Sequence, residues 1–122
     1  MLYFWDRSSV IIKTMISYEE FRKTELRVGK ILEAERVEQS DKLLKLKVDL
    51  GTETRQIVAG IGKHYQPERL VGTSIIIVAN LEPRALMGLE SQGMLLAASD
   101  EGKTTLVLVR PDNDIAPGSS VG

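Results

Sequence analysis

Leu44-Lys-Leu-Lys-Val-Asp-Leu-Gly-Thr-Glu-Thr-Arg-Gln-Ile-Val-Ala59 is the stretch from which the fold is read. Its first seven residues alternate strictly. Leu44, Leu46, Val48 and Leu50 fall on one face of a strand, and Lys45, Lys47 and Asp49 on the other. Gly51-Thr-Glu-Thr54 has turn composition, and Arg55-Gln-Ile-Val-Ala59 returns as the partner strand of a hairpin.

Upstream, Glu38-Gln-Ser-Asp41 is a turn. Before it, Leu26 to Glu35 reads as a strand with Leu26, Val28, Leu32 and Ala34 on one face and Ile31 on the other. Gly29 sits where the period slips and is the expected site of a bulge. Ser17-Tyr-Glu-Glu20 has capping-box spacing and predicts a short helix anchored by Phe21. Residues 1–14 fit the rest poorly. They are read as an atypical extension to a domain over 15–122, because Met15-Ile-Ser-Tyr18 looks like a second beginning. A partner-binding arm is the rival reading.

Downstream, Gly60 to Gly72 breaks the strand rhythm, and Pro67 opens a helical turn. Ser74-Ile-Ile-Ile-Val-Ala79 is a strand apolar on both faces. Asn80 to Ala98 reads as a shaped loop carrying Pro83, Gly88, Ser91, Gln92 and Gly93, and Met94–Ala98 makes the fifth strand. A last strand over Thr104–Val109 and an irregular tail follow. Three strands, a short helical connection and further strands suit an all-β, five-stranded Greek-key barrel of the OB type. An SH3-like barrel is the nearest rival. The N-terminal helix and C-terminal extension exceed the minimal barrel and are candidates for covering an edge or joining a second subunit.

Composition narrows the chemistry. The 122 residues suffice for one domain with a real core. There is no cysteine, which removes disulfide and thiolate chemistry. The net charge of −1 argues against a protein coated in positive charge, so nucleic-acid binding would rest on a local patch. No apolar run reaches the ~20 residues of a membrane span, and no membrane association is expected. The one histidine, His64, has no nucleophile or orienting acid near it in sequence. Asp112-Asn-Asp114 lacks calcium-loop spacing, and Gly60-Ile-Gly62 lacks the third glycine of a dinucleotide loop. No catalytic residue, metal or cofactor is expected. The cations Lys42, Lys45, Lys47 and Arg55 cluster on the hairpin and admit two readings: a solvated face with gatekeeping lysines, or a patch that tracks phosphates. With Tyr65 the only aromatic after Phe21, recognition of a folded RNA by backbone and shape fits better than base stacking.

Several segments in order resemble the tRNA-binding domain family, free-standing or appended to methionyl-tRNA synthetase. They include Leu26-Arg-Val-Gly29, Ser40-Asp-Lys-Leu-Leu44, Val48-Asp-Leu-Gly51, Arg55-Gln-Ile-Val-Ala-Gly60 and Leu86-Met-Gly-Leu-Glu-Ser-Gln-Gly-Met94. The closest likeness is to a synthetase C-terminal domain or beta subunit. The resemblance implies a cytoplasmic, non-catalytic homodimer that binds tRNA by its L-shape and serves a methionyl-tRNA synthetase catalytic chain. It assigns RNA contact to Lys42, Ser91 and Met94, with Arg84 beside them. Where the family often has Asn-Ala before Asp-Lys, this chain has Gln39-Ser40. A sister group implies an alternative, a peptide-binding chaperone or secretion factor using Met87, Leu89 and Met94.

Overall fold

A computed structural model describes residues 14–122; the expected extension therefore lies, but for Thr14, outside the described residues. In chain order the elements are α1 (Tyr18–Arg22), β1 (Leu26–Arg36), β2 (Leu44–Asp49), β3 (Thr54–Ala59), α2 (Pro67–Leu70) and β4 (Ser74–Val78). They continue with β5 (Arg84–Leu86), β6 (Leu89–Ser91), β7 (Met94–Leu95), β8 (Ala97–Ser99), β9 (Leu106–Leu108) and β10 (Ser120–Val121).

The main sheet runs β3-β2-β1-β4-β7, all antiparallel, with β10 added to the start of β1. It curls into the expected five-stranded barrel, nearly closed. Closure comes from the β6–β7 link, where Gln92 N–H donates to the Gln56 carbonyl at 2.8 Å and Gln56 N–H to Gln92 Oε1 at 3.0 Å. The alternating hairpin dictates the core: Leu44, Leu46, Val48 and Leu50 all point inward, with Ile57, Leu70, Ile75 and Ile77. Each buried aliphatic side chain of this size contributes roughly 1.5–3 kcal/mol.

Two local expectations are corrected. The irregularity in β1 lies between Ile31 and Glu33, not at Gly29. The extra residue is Leu32, which turns outward while Ile31 goes fully into the core. Gly29 instead leaves room for Val48, whose Cγ1 would lie 2.5 Å from an added Cβ. The second correction concerns 80–98, which is not simply a loop. Its centre is the β5–β6 hairpin, and Met87 and Gly88 form the two-residue turn with φ of 49° and 81°. The fifth and last strands are also shorter than expected, and β8 pairs with β9 as a separate ribbon.

The predicted capping box is present. Ser17 Oγ accepts Glu20 N–H at 3.1 Å, and Glu20 Oε1 accepts Ser17 N–H at 2.9 Å. No residue of α1 is buried, so the helix relies on an outside tether. Asn80 supplies it: Oδ1 accepts Glu25 N–H at 2.8 Å and Nδ2 donates to the Lys23 carbonyl at 2.6 Å.

Candidate functional site

The sequence-predicted residues divide into three groups. Lys42, Arg84 and Met94 share the rim of a groove of about 260 Å³, floored by Val58, Ala59 and Leu95. No carboxylate lines it. Lys42 is set by the turn before β2, where Ser40 Oγ accepts the N–H groups of Lys42 at 3.3 Å and Leu43 at 3.1 Å. Its aliphatic stem then crosses the bare backbone of Gly60, where an added Cβ would come within 3.0 Å of Lys42 Cε. The stem packs while the ammonium stays in water. Met94 is 44% exposed on this rim while its neighbour Leu95 enters the core.

Lys45, Lys47 and Arg55 lie together in a second groove of about 380 Å³, but with Glu33 and Glu35. The β1–β2 register sets Glu35 opposite Lys45 and Glu33 opposite Lys47. Lys45 Nζ is 2.7 Å from Glu35 Oε1, and Lys47 Nζ 3.8 Å from Glu33 Oε2. Arg55 is more deeply committed. It pairs with Glu53 at 3.1 Å and donates from Nη1 to the Ala79 carbonyl and, at 3.4 Å, to the Gln92 carbonyl. The guanidinium holds the exposed Glu53 carboxyl below its ordinary range, first by hydrogen bonding and then by charge. This face is therefore charge-compensated in the free protein.

Ser91 stands apart. It was expected to line the surface, yet it is only 4% exposed. Its hydroxyl accepts Val58 N–H at 2.9 Å and donates to the Gly93 carbonyl at 2.9 Å, which spends it on joining β3 to the β6–β7 link. Sequence reasoning missed the positioning roles of Ser40 and Gly60, and the carboxylates opposite the lysines. The last had a visible signal, since Glu33 and Glu35 alternate with the same period as Lys45 and Lys47.

Among the described residues no group of three or more His, Cys, Asp or Glu could hold a metal ion. No helix among them is long and apolar enough to cross a membrane. His64 is exposed.

These features define a small antiparallel barrel whose Lys42–Arg84 groove is cationic and free of carboxylates. Compared with known proteins, residues 26–120 match the family model described as a putative tRNA binding domain. The chain belongs to that family. It is 61% identical over 106 residues to a methionine–tRNA ligase of Caldanaerobacter subterraneus, and 58% identical over 106 residues to that of Thermotoga maritima. Each match covers 87% of this chain but only 16% of the relative, so the chain spans about a sixth of the length of the curated relatives it matches. Among solved structures, a MetRS related protein from Pyrococcus horikoshii superposes with a TM-score of 0.85 at 38% identity, covering 89% of this chain and 99% of the other. The chaperone CsaA of Bacillus anthracis gives 0.81 at 29% identity, covering 89% and 100%.

Proposed function

We propose that this chain binds tRNA by its overall L-shape, largely independently of sequence, as a non-catalytic accessory domain or beta subunit of a cytoplasmic methionyl-tRNA synthetase. The observation that supports it best is the Lys42–Arg84 groove, which brings two cations together with no carboxylate in the lining. Phosphates entering it meet no repelling charge. Lys42 is already aimed by Ser40 and Gly60, so little side-chain freedom is lost on binding. Met94 and Leu86 add an apolar rim that can follow a sugar–phosphate surface without reading a base. Lys45 and Lys47 join only by exchanging a carboxylate partner for a phosphate, and Arg55 and Ser91 serve as frame.

The active form in this reading is a homodimer. Tyr18 and Phe21 on α1, with Met15 and Ile16 just before it, present exposed apolar surface, and Asn80 holds the end of that helix at one place on the barrel. Burying this surface against a second copy is favourable. Sizing the protein with and without residues 1–24 tests it: the full chain should run as a dimer and the shortened one as a monomer.

A second reading, a peptide-binding chaperone on the same fold, is favoured by the exposed Met87 at 58% and Met94 at 44%, and by the CsaA likeness. One gel-shift series separates the two, using intact tRNA, an isolated acceptor minihelix and an unfolded polypeptide. Intact tRNA should shift at the lowest protein concentration. Equal binding of the minihelix removes shape recognition, and a shift by the polypeptide alone removes the RNA reading.

A further inference from the structure

The segment Gly60 to His64 leads from the Lys42 groove to another. At its far end His64, Tyr65, Arg69, Leu70, Leu108 and Arg110 border a groove of about 330 Å³, again without a carboxylate in its lining. The frame is firm. Tyr65 Oη accepts Leu108 N–H at 3.1 Å, which ties the connection to β9, and Leu70 makes a buried floor. Arg36 Nη1 donates to the Gly62 carbonyl at 2.9 Å, and Gly62 N–H donates to the Lys42 carbonyl at 2.7 Å.

The arginines of this groove differ from three others in the fold. Arg22, Arg27 and Arg55 each have a carboxylate within 4 Å. Among the described residues neither Arg69 nor Arg110 has one, although both border the same groove. Two guanidinium groups on one groove place positive charge there that an anion would balance. Their forked donors suit phosphate oxygens, and the exposed imidazole of His64 offers a flat face to a neighbouring sugar or base.

We propose that the His64–Arg69–Arg110 groove is a second phosphate-binding site for the same RNA; this rests on the tRNA reading of the Lys42 groove. Gly60 and His64 are four positions apart, so the two grooves approach within about 14 Å at that segment. A small anion would use one groove. An extended polyanion can fill both, and the rigid link fixes their spacing.

The test is the salt dependence of tRNA binding for wild type, Lys42→Ala, Arg69→Gln/Arg110→Gln and Arg69→Lys/Arg110→Lys. Each lost phosphate contact lowers the slope of log K against log salt by about one. The double Gln variant should lose about two units of slope for every tRNA, and the double Lys variant should keep them. Lys42→Ala alone should lose about one unit. A wild-type slope in the double Gln variant, with Lys42→Ala lowered, overturns the second site and leaves the first standing. A slope that stays low in the double Lys variant also overturns it, because retained charge should retain the released counterions. Wild-type slopes in Lys42→Ala and the double Gln variant alike remove both readings.

Discussion

The Ser91 hydroxyl accepts the Val58 N–H at 2.9 Å, across the seam where the barrel comes closest to closing. A side chain thus does the work of a ladder hydrogen bond where β3 and β7 have none of their own. Ser91→Ala leaves that amide buried and unpartnered, at a cost of about 1–3 kcal/mol. A lower urea midpoint is expected with an unchanged salt slope for tRNA. An unchanged midpoint with a flattened slope would instead make Ser91 an RNA contact.

Glu35 opposite Lys45 is an exposed pair, and such pairs are worth about 0–1 kcal/mol. Glu35→Gln should therefore leave the melting temperature within a degree or two. It removes a charge that repels phosphate and releases Lys45, so tRNA binding should tighten severalfold at low salt. Unchanged affinity in a filter-binding titration would take the paired-lysine face out of the interface.

Gly88 and Gly93 look alike in sequence but differ in space. An added Cβ at Gly88 meets nothing within 4 Å, and only its φ of 81° is at stake. Gly88→Ala should cost about 1–2 kcal/mol. At Gly93, with φ of 130°, the Cβ would sit 2.9 Å from the Val78 carbonyl oxygen and 3.1 Å from Ile57 Cδ1. Gly93→Ala should cost clearly more, because backbone of β4 has to move. Chemical denaturation of the two variants side by side gives the order, and equal losses would contradict the packing at β4.

Asp100 closes the turn before β9. Its carboxylate accepts Thr104 Oγ1 at 2.7 Å and Thr105 N–H at 3.1 Å, and these bonds, the first foremost, hold the carboxyl below its ordinary range. The folded state favours the charged form. Its contribution is complete above the unfolded carboxyl's range and is lost as pH falls through the lower folded value. Acid titration followed by NMR should show the Thr105 amide released only at strongly acidic pH, and Asp100→Asn should abolish that step.

The barrel was legible because Leu44–Leu50 alternates without error and all four leucine and valine positions are buried. The β1 bulge was not. A period of two that slips over Gly29 to Leu32 can break at any of those residues, and packing against β2 chooses Leu32. The charge cluster was legible, but its division was not. Compensation of Lys45 and Lys47 depends on the pairing of two strands, which residue types in one strand do not reveal. Ser91 was expected at the surface because the resemblance assigns it RNA contact together with Met94. Only the closing of the seam shows which backbone amide it serves.

The pairing of β10 with β1 carries one more consequence. Leu26 faces Val121 and Arg27 faces Ser120, so the chain enters and leaves the barrel at the same edge. Tension applied between the two ends would act across these rungs and open them one after another, as a zipper opens, instead of loading them together in shear. A polypeptide joined at either end would hang from the same corner of the barrel. Pulling on it through both would part β10 from β1 while the hairpin of β2 and β3 stayed closed.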